Sequence, residues 1–188
     1  EYQDHKSDTI YTSFLVKSSK IKELKGSEII IWTTTPWTIP ANKALAYNAS
    51  LKYVLLEIND NKNFVNRKIV IAKDLLEPFK KDTSIENIKA LNEFLGKDLN
   101  GTICSHPFSK MEYNYDIPML EANFVTTEQG TGIVHCAPSH GPDDFNLCLN
   151  NNIKAIETVD GDGKYTSEIK LFEGLHIFKA NNLIIEKL

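Results

Sequence analysis

Chemistry-bearing side chains gather in two short stretches. The first reads Trp32-Thr33-Thr34-Thr35-Pro36-Trp37-Thr38-Ile39-Pro40-Ala41-Asn42 and sets three consecutive hydroxyls against a proline, with an indole and an amide close behind. A hydroxyl both donates and accepts, so such a run can hold a polar substrate and orient an attacking water. The same three threonines could equally be β-branched residues closing a strand. The second stretch reads Gly130-Thr131-Gly132-Ile133-Val134-His135-Cys136-Ala137-Pro138-Ser139-His140-Gly141-Pro142-Asp143-Asp144. Its Gly-Thr-Gly can turn backbone N–H groups toward a ligand or toward a carbonyl oxygen on which charge develops, or can be a plain hairpin turn. Pro142 suits the first position of a helix, which puts Asp143 and Asp144 in the first turn. There a carboxylate either complements the helix dipole or pairs with a cation.

The remaining polar groups carry the same double reading. Trp32 and Trp37 are core residues by type, Trp37 being the better candidate for a pocket wall because it lies in the loop. Asn42 stabilises a turn or contacts a substrate, and a histidine on a strand such as His135 is ordinarily structural. His135, Cys136, His140 and Asp144 are all metal-ligand types, but their spacing fits no zinc pattern and Pro138 intervenes, so no metal is expected. Neither a Ser-His-Asp nor a Cys-His arrangement is evident, which leaves the hydrolytic base unnamed.

The elements around these stretches follow from local pattern. Glu28 to Trp32 is a β-branched run ending at the threonines, a buried strand feeding a loop. Tyr53 to Ile58 and Lys68 to Ala72 flank the polar stretch Asn59 to Asn63 as a hairpin would. Ser84, followed by Ile85, Ile88, Leu91 and Leu95 on one helical face, predicts a helix over 85–95 with Ser84 as its N-cap. Apolar stretches near Ile103, over 117–124 and over 132–136 predict further strands. A helix is expected from Pro142 to about Asn150, and another over 178–188 from the spacing of Ala180, Leu183, Ile184 and Leu188. With no repeat and no linker, residues 1–188 read as one α+β domain, a β-barrel-like sheet with peripheral helices.

Composition narrows the partners. The chain has 188 residues, enough for one core, and its 41% hydrophobic and 24% charged residues place it with globular rather than disordered chains. A formal charge of −4, with Arg67 the only arginine, excludes a bulk basic field and arginine-rich base readout, so nucleic acid is expected to be gripped locally. Cys104, Cys136 and Cys148 form no Cys-x-x-Cys pair and suggest a reducing cytosol. The segment Glu1 to Phe14 has no secretory pattern and no long apolar run occurs, so a cytoplasmic protein without membrane contact is expected.

The two stretches resemble, almost letter for letter, the motifs of the editing domain inserted into isoleucyl-tRNA synthetase, WTTTPWTxPAN and GTGxVHxAPxHGxDD. The likeness extends over nearly the whole chain, from the leading segment to Phe178-Lys179-Ala180-Asn181-Asn182. Valyl and leucyl editing domains are similar in the second stretch but carry an arginine in the first, where this chain has Thr35 before Pro36-Trp37; they are the runner-up, with a noncatalytic tRNA-binding module behind them. The synthetic signatures HIGH and KMSKS are missing from this sequence.

The resemblance therefore implies a β-barrel-centred domain excised from a larger synthetase, monomeric, that hydrolyses valyl-tRNA(Ile) and valyl-adenylate without a cofactor; ATP and zinc would belong to other parts of the parent. One methylene is worth only about 1–3 kcal/mol of discrimination, isoleucyl synthetases being the standard illustration, so a second sieve must remove valine. By resemblance Asp144 anchors the substrate's α-ammonium group. Thr33, Thr34 and Thr35 hold the substrate and orient water, and Trp37 lines the pocket. Asn42 meets the terminal ribose or the ester, and His135 is the size gate. Gly130, Thr131 and Gly132 face the terminal adenosine or the carbonyl oxygen. Substrate assistance by a ribose hydroxyl would supply the missing base.

Overall fold

A computed structural model describes residues 8–60 and 64–188; residues 1–7 of the leading segment and 61–63 of the predicted hairpin connection lie outside the described residues. The strands are β1 (Ile10–Ser18), β2 (Glu28–Thr33), β3 (Ala44–Tyr47), β4 (Lys52–Asp60), β5 (Phe64–Ala72), β6 (Ile88–Leu95), β7 (Ile103–Ser105), β8 (Asp116–Glu121) and β9 (Ile133–Cys136). They form a mixed sheet in the order β6-β4-β5-β2-β1-β7-β8-β3-β9. The helices α1 (Leu76–Thr83), α2 (Pro142–Asn150) and α3 (Ile177–Lys187) lie around it.

The central strands bury both faces, which explains why they read as continuous apolar runs. Along β2, Ile29 and Ile31 enter the main core while Ile30 enters a second core on the opposite face. Along β5, Val70 and Ala72 face the first and Ile69 and Ile71 the second. The second core is closed by Phe79 of α1, and the main core receives Ala180 and Ile184 of α3. The period-2 alternation of a strand is what lets one segment serve two cores.

Two expectations are corrected here. The α+β class holds, but the sheet is not closed into a barrel: β6 and β9 stand at its two ends. What draws the β9 end toward β5 is the loop before it, since the Ala72 N–H donates to the Thr131 carbonyl (2.8 Å) and the Tyr53 hydroxyl to the Gly132 carbonyl (2.7 Å). The predicted helix over 85–95 is instead strand β6, paired antiparallel with β4 from Lys52↔Leu95 to Ile58↔Ile88. The helix lies earlier, and Ser84, at φ 55°, ends it as a left-handed C-cap rather than starting one. The open edge of β4 decides the matter. A ladder there satisfies backbone groups that a short amphipathic helix would leave to water, and Leu91 and Leu95 are left exposed as a result.

Elsewhere the local reading holds. β2 runs one residue beyond its predicted end, α2 begins at Pro142 and ends at Asn150, and α3 covers the predicted tail helix. Among the described residues no helix is long and apolar enough to cross a membrane.

Candidate active site

At the end of β2 the threonine run divides. Thr33 is buried and its Oγ1 accepts the N–H of Thr35 (3.1 Å), while Thr34 and Thr35 are exposed. The chain then enters a 3-10 turn over Pro36–Ala41, locked by Pro36 and Pro40, that buries Thr38 and Ile39. Thr38 donates its hydroxyl proton to the Thr35 carbonyl (2.9 Å) and lies 2.8 Å from His135 Nε2. From the other side the Asn42 amide Nδ2 donates to the Ala44 carbonyl (3.0 Å) and faces His135 Nδ1 at 3.3 Å.

These contacts assign the histidine tautomer. An amide nitrogen only donates, so Nδ1 must accept and the proton sits on Nε2, donated to Thr38. The ring is 9% exposed, and burial first, then neighbouring His140, lowers its pKa to about 4. His135 is therefore a neutral, clamped ring with both nitrogens in use, suited to be a wall and unsuited to be a general base. Asn42 is fully buried, and among the described residues its Oδ1 has no hydrogen-bond partner.

β9 pairs with β3 so that His135 lies opposite Leu45, and the chain leaves β9 directly for α2. Asp144, in the first turn of α2, accepts the N–H of Ala137 through Oδ2 (2.9 Å). Burial raises its pKa above the ordinary carboxylate value, the Ala137 bond works against that rise, and the charge of Asp143 adds to it. Among the described residues no cation pairs with it. The dipole reading and the anchor reading thus coexist: the carboxylate sits at a positive helix end, yet it is half-buried without a counter-ion.

Trp37 lies edge-on to His140, ring centroids 4.8 Å apart at 80°. His140 Nε2 is 2.7 Å from the Thr158 hydroxyl, and the His140 backbone N–H donates to the Ala137 carbonyl (2.9 Å), so this histidine shapes the loop between Trp37 and Asp144.

The Gly-Thr-Gly segment occupies the far end of β9, a strand of four residues and so about 13 Å away along the chain. Gly130 and Gly132 take positive φ, and a Cβ on Gly132 would collide with the Ala72 Cβ. The Thr131 hydroxyl donates to the Ile133 carbonyl (3.2 Å), and the Thr131 and Gly132 carbonyls are the acceptors for Ala72 and Tyr53. This loop docks the strand, and Gly130 packs toward Trp32.

Thr35, Thr38, Asn42 and His135 thus form one connected network, with Asp144, Trp37 and His140 joined to it through the loops on either side. Thr38 lies inside the first stretch, yet the sequence reading gives it no role; its spacing of three from Thr35 in a proline-locked turn was the available signal. Thr158, Tyr165 and Asn181 also support the site, and nothing in their local pattern marks them. Among the described residues no group of three or more His, Cys, Asp or Glu side chains is placed to hold a metal ion. A cavity of about 370 Å3 lies apart from this network, between Ile30, Ile69 and Phe79.

The family model described as leucyl-tRNA synthetase, editing domain, matches residues 6–179. The chain is 69% identical over its whole length to the isoleucine-tRNA ligase of Pelagibacter ubique, covering 21% of that protein. It is 42% identical to that of Gluconobacter oxydans, covering 20%. The chain thus spans about a fifth of the length of these curated relatives. In fold it is similar to the cytosolic leucyl-tRNA synthetase editing domain of P. knowlesi, with a TM-score of 0.64 at 12% identity over 96% of this chain and 93% of that one. On this match across almost its whole length, the chain belongs to the editing-domain family of the aminoacyl-tRNA synthetases, with isoleucine-tRNA ligases as its relatives in sequence.

Proposed function

We propose that this domain hydrolyses valyl-tRNA(Ile), and valyl-adenylate as a second substrate, while leaving isoleucyl-tRNA(Ile) intact. The observation that carries the reading is the half-buried Asp144 carboxylate, without a cation among the described residues and separated only by the β9–α2 turn from the clamped ring of His135. An ammonium group on Asp144 supplies the missing counter-charge and fixes one end of the amino acid. The side chain then meets a wall. Valine fits and the extra methylene of isoleucine clashes with a ring that two hydrogen bonds hold in place.

The exposed hydroxyls of Thr34 and Thr35 orient the water, which attacks the ester carbonyl carbon. The bond to the ribose oxygen breaks, and that oxygen takes up a proton. His135 has no free nitrogen for proton transfer, so the neighbouring ribose hydroxyl of the substrate assists, and Asn42, fully buried, acts by holding the His135 ring. Gly130, Thr131 and Gly132 contribute indirectly, by docking β9. No cofactor enters this scheme; ATP and zinc, if any, belong to other parts of a longer parent protein. The domain acts as a monomer in the cytosol on the aminoacylated 3′ end of the tRNA, with residues 1–188 as one unit.

Deacylation of valyl-tRNA(Ile) and isoleucyl-tRNA(Ile) side by side tests the proposal. A much faster valyl reaction supports it, and equal rates on the two esters defeat it.

A further inference from the structure

The Trp37 wall is held by residues outside both motifs. In a 3-10 turn the first N–H groups have no internal acceptor, and each carbonyl awaits the N–H three residues on. For the Trp37 carbonyl that residue is Pro40, which has no N–H. Trp37 is thus left with a donor orphaned by its place in the first turn and an acceptor orphaned by Pro40. Both are satisfied from far away. Asn181 Oδ1 in α3 accepts the Trp37 N–H (3.0 Å), and the Tyr165 hydroxyl donates to the Trp37 carbonyl. The partners are 144 and 128 residues distant in sequence.

Each partner is itself fixed. Tyr165 is buried, bridged to Val159, bonded through its N–H to the Leu175 carbonyl (3.0 Å) and packed on Phe172. α3 is seated in the core by Ala180 and Ile184. The same small bridge presents Thr158, whose hydroxyl meets His140, the ring that Trp37 touches edge-on. We propose that Tyr165 and Asn181 are positioning residues for Trp37, through which the segment 158–181 sets the pocket wall. The proposal rests on the editing reading for the wall's purpose, but not for the clamp itself.

In a Trp32→Phe background Trp37 is the only tryptophan, so acrylamide quenching of its fluorescence reports the clamp directly. Asn181→Ala and Tyr165→Phe are each expected to raise quenching and to lift KM for the valyl ester on the order of tenfold with kcat little changed, as loss of uniform binding does. Asn181→Asp keeps an acceptor oxygen and is expected to restore both readouts. Unchanged quenching in both variants overturns the clamp, as does an Asn181→Asp protein that behaves like Asn181→Ala. A parent chain with no selective deacylation defeats the editing reading instead, and the quenching comparison still decides this one.

Discussion

The Gly-Thr-Gly loop and the Asp144 turn stand at opposite ends of β9, and the sequence marks both as possible ligand sites. In the structure they differ in what is left over. The loop spends its groups internally: the Thr131 hydroxyl and the carbonyls of Thr131 and Gly132 are all engaged, and Gly132 has no room for a Cβ. At the other end, among the described residues, Asp144 has no counter-ion and the buried Asn42 Oδ1 no donor, and Thr34 and Thr35 are exposed. Unfilled capacity separates a site from a docking device more sharply than residue type does.

Substitutions can sharpen that contrast. Asp144→Ala is expected to lower deacylation of the valyl ester by about 100-fold or more while the chain stays folded, because truncating one member of a desolvated charge pair costs on the order of 2–5 kcal/mol. Full activity in a folded Asp144→Ala protein would return Asp144 to a dipole role. Gly132→Ala is expected to do the reverse, costing roughly 2–3 kcal/mol of stability through overpacking on Ala72 and strain at positive φ, with the valyl-to-isoleucyl rate ratio unchanged. Thermal unfolding beside the rate ratio separates the outcomes; a shifted ratio at unchanged stability would place the loop in the site.

His135→Ala is expected to turn a selective editor into an indiscriminate one. Removing the ring relieves a clash of about 1–3 kcal/mol, so the isoleucyl ester is cleaved while Asp144 still anchors it. If valyl cleavage disappears and isoleucyl cleavage stays absent, the steric gate is wrong.

The smallest effects are those of pH. His135 titrates near 4 in the fold and His106, also lowered by burial, near 3, against an ordinary value of 6.5. Their folded values are depressed, so the neutral rings contribute stability that is fully present above 6.5 and lost as the pH falls toward those values. Asp144 has the opposite sign. Its raised carboxyl pKa means that the fold favours the protonated form, so this contribution is present below 3.8 and is lost as the pH rises through the folded value. Melting temperatures are therefore expected to fall from pH 6.5 to 4, less steeply in His135→Ala, and Asp144→Asn at neutral pH is expected to be no less stable than the parent.

What could be read in advance was local. β2 and α2 announce themselves by a β-branched run and by Pro142 with two following carboxylates, and both elements are where those signals put them. β6 did not, because Ile85, Ile88, Leu91 and Leu95 mimic a helical stripe and only the open edge of β4 decides otherwise. The site divides in the same way. Asp144 and His135 lie in recognisable stretches, but the tautomer of His135 depends on Thr38 and Asn42, more than ninety residues earlier. Tyr165 answers a need created by Pro40 and Asn181 one created by the start of the same turn, and no window around either of them contains that turn.

The ammonium anchor is tested most directly by comparing a valyl ester with the same ester carrying a hydroxyl in place of the ammonium group, on the parent chain and on Asp144→Asn. The parent should prefer the ammonium ester by about 100-fold, the order of a desolvated charge pair, and the variant should have lost most of that preference. An equal preference in both proteins would contradict the account.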